Sequence, residues 1–306
     1  VDHAVEAVGL TKRFGDFVAV NGIDFDVQSG ETFSLLGPNG AGKSSTMKMV
    51  SSVSPSTSGT LRVLGMDPAT DGQAIRARLG VVPQEDILDM ELTCRENLQI
   101  YLRYFGVPWS KTRARADEVL EFVQLGDRAD SKVEPLSGGM KRRLTIARGL
   151  VNDPEMVLLD EPTTGLDPQA RHLLWERLYR LKEQGVTLLL TTHYMDEAEQ
   201  LSDRLVIMDN GEIVATGSPS GLISTHVTRE VVELRMGDDP GDLASVATQA
   251  GLRIDALPDR HLLYADDGDA AIALLRDRGV HPMGTYVRRS SLEDVFLTLT
   301  GRQLVE

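Results

Sequence analysis

A single cysteine, Cys94, stands in a chain of 306 residues, so no internal disulfide can form. That suits a reducing compartment. Long apolar runs are missing as well. No stretch approaches the roughly 18 apolar residues that a membrane span needs. The first residues, Val1-Asp2-His3-Ala4, show no basic segment followed by an apolar one, so no signal peptide is expected. Positive charge is in short supply: the net charge of −14 argues against non-specific binding to DNA or to an anionic membrane surface. Docking onto an embedded protein stays open. Lysine stops at Lys182, and arginine is the cation afterwards. No internal repeat or low-complexity segment interrupts the chain. What is present, 41% hydrophobic residues over this length, fits one large domain or two ordinary ones.

Residues 1–30 read as short strands, with Ile23-Asp24-Phe25-Asp26-Val27 alternating at period two. Thr32–Leu36 reads as a buried strand feeding a glycine-rich turn and a helix from about Lys43. Thr60–Leu64 and Leu79–Val82 are further strands. Residues 93–125 turn helical: Thr93 with Glu96 forms a capping box, and Ser110 is expected to cap a second helix through Leu125. Strands at 156–160 and 186–192 then alternate with helices over 168–184 and 194–202, which implies a parallel, doubly wound sheet. Asn210-Gly211 between Leu205–Met208 and Ile213–Ala215 signals a hairpin. The breakers Gly217-Ser218-Pro219-Ser220-Gly221 mark a boundary. Residues 221–306 beyond it read as βαββαβ, the split-βαβ plan, followed by a helix over Leu292–Thr300.

Three constellations carry chemistry. Gly37-Pro38-Asn39-Gly40-Ala41-Gly42-Lys43-Ser44 fits the phosphate-loop pattern between a strand and a helix, the context that the motif requires. Its backbone N–H groups and the helix start are expected to cradle phosphates, with Ser45 next in line. Lys43 is expected at the β- and γ-phosphates and the Ser44 hydroxyl on Mg²⁺. Asp160-Glu161 ends a buried strand, where ionised carboxylates need a partner or a metal. Asp160 suits the Mg²⁺ shell, and Glu161 is placed to polarise an attacking water. Leu136-Ser137-Gly138-Gly139-Met140 opens a helix that Ser137 can cap. Its free N–H groups form a second anion site, far along the chain from the first. A plain cap explains Ser137 but leaves two glycines unfavourable in a first turn.

These motifs resemble the ATP-binding-cassette (ABC) ATPases, and residues 1–220 cover such a domain. Gln84 after Val81-Val82-Pro83 matches the Q-loop, Gly165-Leu166-Asp167 the D-loop, and Thr191-Thr192-His193 the switch histidine. The fold implied is an α/β P-loop NTPase cassette: a parallel core sheet, an antiparallel β subdomain and a helical subdomain at about 86–135. A small α+β domain over 221–306 follows it. The resemblance implies ATP and Mg²⁺ as ligands, with Ser44, Gln84 and Asp160 toward the metal and Glu161, His193 and Gln84 catalytic. It implies that Ser137, Gly138 and Gly139 cap the γ-phosphate held by a second, head-to-tail copy, and that Asp167 crosses to that copy. Asp167 also suits a helix cap, and the two roles are compatible. Phe14 matches the aromatic that stacks on adenine; as an alternative it is a core residue. The helical subdomain is similar to the part that receives a membrane subunit. Leu88, Met90, Leu92, Leu98, Tyr101 and Phe105 are its apolar candidates, either docking surface or local core.

Met140 and the Lys141-Arg142-Arg143 that follows, with the ending Ser291–Thr300, resemble ABC-2 type exporters of the daunorubicin-resistance, nodulation and sodium-efflux types. The resemblance implies an ATPase that powers export of a drug, lipid or glycolipid through a separate ABC-2 type transmembrane permease. Such a subunit sits peripherally on the cytoplasmic face of the membrane, with no nucleic acid involved. A soluble ABC ATPase acting on ribosomes or DNA is the alternative. The lone cassette, the absence of a heptad run and the acidic balance weigh against it. For residues 221–306 a dimerisation or bracing module is preferred to a ligand sensor.

Overall fold

A computed structural model describes residues 2–237 and 242–301. The chain divides into two compact units, Val1–Gly217 and Ser218–Glu306.

In the first unit, β1 (His3–Phe14) and β2 (Phe17–Gln28) form a long hairpin, and β3 (Thr32–Leu36) is buried along its whole length. Helix α1 (Lys43–Val50) follows a glycine-rich loop, and β4 (Ser58–Val63) returns to pair with β1. Then come α2 (Gly72–Arg78), β5 (Leu79–Val82), α3 (Cys94–Tyr104), α4 (Trp109–Phe122) and α5 (Gly138–Leu150). The unit closes with β6 (Met156–Asp160), α6 (Pro168–Glu183), β7 (Thr187–Thr192), α7 (Met195–Leu201), β8 (Arg204–Asp209) and β9 (Glu212–Gly217).

Two sheets result. The antiparallel one has the order β2-β1-β4, and the larger one β5-β6-β7-β3-β8-β9, parallel except for β9. The parallel strands are covered on both faces, so β3 and β7 read as unbroken buried runs rather than alternating ones. One core cluster packs α1 and the antiparallel sheet against Phe33, Leu35, Leu158 and Leu189. The other packs α3, α4 and α5 against Leu159 and Leu190. Leu98, Leu120 and Leu144 are wholly buried there, each contributing about 2 kcal/mol by burial.

Local chemistry fixes several element ends. Thr93 Oγ1 accepts from Glu96 N–H at 3.2 Å while Glu96 Oε2 accepts from Thr93 N–H at 2.8 Å, a complete capping box at the start of α3. Asn210 (φ 49°) and Gly211 (φ 82°) turn the β8–β9 hairpin, and its tip docks on the glycine loop through Gly211 N–H to Ala41 O at 3.2 Å. Ser110 does not cap α4. The helix already starts at Trp109, because Pro108 holds the extended conformation of a cap (φ −61°, ψ 144°). Helix α4 ends at Phe122, short of Leu125, and Gln124 follows in the left-handed region (φ 57°).

In the second unit, the breaker-rich segment starts a helix, α8 (Pro219–His226). Ser218 Oγ accepts from Gly221 N–H at 3.1 Å, and proline occupies the first helical position, where it lacks no bond. Next come β10 (Glu230–Arg235), α9 (Leu243–Gln249), β11 (Arg253–Ala256), β12 (His261–Ala265), α10 (Gly268–Asp277), β13 (Gly284–Arg289) and α11 (Leu292–Thr300). Their antiparallel sheet has the order β11-β12-β10-β13. Val232 and Leu263 pack with α9 and α10, and Val231 and Leu262 with Leu297 of α11. Adjacent strand residues thus serve opposite faces.

Candidate functional site

The carboxyl ends of β3, β6 and β7 lie side by side, Leu36 opposite Thr192 and Asp160 opposite Thr191. Open parallel sheets place their ligand sites at this edge. Beyond β3 the loop 37–42 is squeezed by neighbouring backbone. A Cβ on Gly37 would lie 2.2 Å from Met208 O, and one on Gly42 2.5 Å from Ala19 O, so neither position accepts a side chain. Gly42 (φ 101°) leads straight into α1 with no capping side chain, leaving the first helical N–H groups for an anion. Lys43 is buried, and its Nζ donates to Gly37 O at 2.7 Å and Pro38 O at 3.0 Å. Burial pushes its pKa down, and Glu161 and Asp160 pull it back up.

Asp160 Oδ1 accepts from Ser44 Oγ at 3.3 Å and from Thr191 Oγ1 at 2.5 Å. Buried Glu161 sits at φ 46°, a left-handed conformation that costs an ordinary residue roughly 1 kcal/mol or more. Its Oε2 accepts from Gln84 Nε2 at 3.1 Å and Thr164 Oγ1 at 3.2 Å. Its Oε1 lies 3.2 Å from His193 Nδ1 and 3.8 Å from Lys43 Nζ. The histidine contact is close but not aligned as a hydrogen bond. Lys43, Ser44, Gln84, Asp160, Glu161 and His193 thus come together around one space.

Among the described residues, no cluster of three or more His, Cys, Asp or Glu could cage a metal ion. One carboxylate beside one hydroxyl, Asp160 and Ser44, is the sparse oxygen set that suits Mg²⁺ shared with substrate phosphates.

Ser137, Gly138 and Gly139 lie elsewhere. Ser137 caps α5, its Oγ accepting from Met140 N–H at 3.3 Å, and Gly138 is exposed with no atom within 4 Å of a Cβ placed on it. Among the described residues no hydrogen bond or ion pair joins this turn to Lys43 or Glu161. Asp167 is exposed and caps α6, its Oδ1 accepting from Ala170 N–H at 2.8 Å. Phe14 is 55% exposed rather than part of the core, with Lys12 Nζ 4.9 Å from its ring centroid. Exposed Phe17 pairs with it across the turn of the hairpin whose Ala19 abuts Gly42.

Of the helical apolar candidates, Leu98 is core, and Leu88, Leu92, Tyr101 and Phe105 are half-buried. Met90 is exposed, and the sequence reading missed its neighbours Ile87 (61% exposed), Ile100 and Tyr104 (80%). Asn97 ties the two segments together: it accepts from Asp89 N–H at 2.9 Å and donates to Asp89 O at 3.0 Å. Ile100 and Tyr104 follow it at helical spacing on one face of α3.

Sequence reasoning named Arg142 only within Lys141-Arg142-Arg143 and did not place it at the site, and it missed Arg171. Arg171 of α6 pairs with Asp196 at 3.0 Å and stacks 4.8 Å from the Tyr194 ring, which lies 4.1 Å from the His193 ring. Nothing in the local pattern marks either arginine as a contact of the site, since each lies within a polar helix sequence.

A family model described as ABC transporter matches residues 20–164. The chain is similar to Nod factor export ATP-binding protein I of Ralstonia nicotianae, 47% identical over 97% of this chain and 93% of that protein. The protein of the same name from Mesorhizobium japonicum is 45% identical over 99% of this chain and 88% of its own length. Among solved structures, cbiO1 from Clostridium perfringens, part of the ABC transporter complex cbiONQ, aligns with a TM-score of 0.68. Its identity is 26%, covering 74% of this chain and 92% of that one. The ATP-binding cassette MJ0796, in a dimeric post-hydrolysis structure bound to ADP and Pi, aligns with a TM-score of 0.65. There the identity is 28%, covering 70% of this chain and 98% of that one.

Proposed function

The chain belongs to the ABC transporter family, as an ATP-hydrolysing cassette, and on that footing we propose that it powers an ABC-2 type exporter. It does so as a head-to-tail pair of cassettes docked on a separate membrane permease. The cargo is a drug, lipid or glycolipid, Nod factor being the one that its relatives' names carry. Those relatives span nearly the whole chain and carry export names, so a soluble ATPase acting on ribosomes or DNA is not favoured.

The observation that carries this reading is the surroundings of Glu161: Lys43, Gln84 and His193 all converge on one buried carboxylate. The loop N–H groups and Lys43 bind the β- and γ-phosphates of ATP, Lys43 exchanging its carbonyl partners for phosphate oxygens. Glu161 takes the proton of a water as that water's oxygen bonds the γ-phosphorus and the bond to the β–γ bridging oxygen breaks. Gln84 and His193 hold the carboxylate and the water in line. Ser44 and Asp160 would hold Mg²⁺, which would supply charge neutralisation at the phosphate oxygens.

The open turn Ser137–Gly139 supports a second copy. Ser137 and Gly138 are exposed, and Gly138 has open space in front of it, so this anion site at a helix start is completed by another chain's γ-phosphate. Phe14 supplies an exposed ring for adenine, and Asp167 an exposed carboxylate for the partner. The face made by Ile87, Met90, Ile100 and Tyr104 supports permease docking, since apolar side chains gathered on one surface mark interaction sites. Among the described residues no helix is long and apolar enough to cross a membrane. In this reading the chain sits on the cytoplasmic face of the membrane through the permease. Residues 221–306 serve in this reading as a dimerisation or bracing module.

The test is turnover by Glu161→Gln. We expect ATP binding to persist and hydrolysis to fall about 10²–10⁴-fold, the usual contribution of a positioned base. Retained turnover overturns the assignment.

A further inference from the structure

Arg142 lies on α5, five residues beyond Ser137, and only 4% of it is exposed. Every N–H of its guanidinium is spent on a main-chain carbonyl. Nε donates to Pro162 O at 2.8 Å. Nη1 donates to Pro83 O at 2.5 Å and Gln84 O at 3.1 Å. Nη2 donates to Asp160 O and Glu161 O, both at 3.2 Å. One planar fork therefore grips two loops at once, the one that bears Gln84 and the one that bears Asp160 and Glu161. Asp86 stands 3.7 Å from Nη1 and accepts from Thr145 Oγ1 at 2.7 Å, so the counter-charge is anchored to the same helix.

Two features make this grip more than packing. Glu161 is held in a left-handed backbone: Thr191 O and Oγ1 take its N–H, both at 3.1 Å, and Arg142 takes its carbonyl. Arg142 is also rigidly continuous with the N-terminus of α5, where Ser137–Gly139 lie open. A shift of α5 is passed directly to the backbone of Gln84 and Glu161.

We propose that Arg142 is a positioning residue that couples the chain's Ser137–Gly139 turn, seated on the partner's ATP, to the chain's own hydrolytic Glu161. The inference rests on the head-to-tail reading above. Each nucleotide then sets the catalytic geometry of the opposite site, and the two sites fire as a pair.

The experiment compares the full chain with Arg142→Lys, which keeps the charge but not the fork. ATP affinity is expected to stay within about twofold, because Arg142 touches no phosphate-loop residue. The kcat is expected to fall about 10²-fold, the effect of a displacement near 1 Å at the reacting centre. A sigmoidal dependence of rate on ATP is expected to become hyperbolic. A variant with unchanged kcat, or with a lowered kcat but intact sigmoidal curve, overturns the coupling. If Arg142→Lys does not fold, Thr145→Val serves, since it frees Asp86 without emptying the core. It is expected to lower kcat about tenfold at unchanged KM, and an unchanged kcat overturns the proposal. ATP-driven dimerisation of Glu161→Gln is the control. No dimer there means the head-to-tail reading has failed. A dimer there with wild-type kinetics in Arg142→Lys means that only the coupling has failed.

Discussion

Gln84 Nε2 donates to Glu161 Oε2 across 3.1 Å, joining the loop that leads to α3 with the end of β6. On the proposed reading, this bond gives the loop before α3 a direct hold on the hydrolytic carboxylate.

Lys43→Ala removes the one side-chain cation of the phosphate loop. Hydrogen bonds to charged groups are worth about 1.5–3 kcal/mol, so ATP affinity is expected to fall about 10- to 150-fold. Titration with a fluorescent ATP analogue checks this, and unchanged affinity would remove Lys43 from the phosphate site.

Gly138→Asp separates folding from function. A Cβ at Gly138 meets nothing within 4 Å, and an acid at a helix start suits the dipole. The melting temperature is expected to hold or rise slightly, within about 0.5 kcal/mol of stability. ATPase activity is expected to collapse, because the new carboxylate repels the partner's γ-phosphate. A variant that unfolds, or one fully active, contradicts the role given to this turn.

Exchanging both Ile100 and Tyr104 for glutamate tests the docking face. Both are exposed, so the fold is expected to lose less than about 1 kcal/mol and ATP hydrolysis by the chain alone to continue. Copurification with the permease is expected to drop strongly. Full complex formation would show that the permease docks elsewhere.

Glu197 allows a pH test. It is wholly buried on α7, and burial pushes its pKa up from 4.5. Thr192, Thr163 and Trp175 offset part of that shift, though none is aligned as a hydrogen bond. Its folded pKa lies above the unfolded one, so its contribution is fully present below about 4.5 and is lost as pH rises through the folded pKa. Glu197→Gln is therefore expected to gain more stability at pH 8 than at pH 5, read by denaturant midpoint. An equal effect at both pH values contradicts a proton held by burial.

Local chemistry was legible in the sequence; distant contacts were not. Thr32–Leu36, Met156–Asp160 and Leu292–Thr300 stand where the residue pattern puts them, because a buried run or a capped helix is written in adjacent residues. Ser110 misled because Pro108, two positions earlier, already supplies the extended cap. Helix α8 hid behind Ser218-Pro219, residues that end one element and start the next. The burial of Arg142 could not be read, since its five acceptors come from loops that only the folded sheet brings near α5. Nor could the exposure of Tyr104 beside half-buried Tyr101, which depends on what α3 packs against.

The central claim is that Ser137–Gly139 completes its site only against a second chain. The most direct measurement is the mass of Glu161→Gln in solution, by light scattering, with and without ATP and Mg²⁺. The account predicts a monomer without nucleotide and a stable dimer with it, lost again in the double variant Glu161→Gln, Gly138→Asp. A monomer at high concentration of chain, ATP and Mg²⁺ would contradict it.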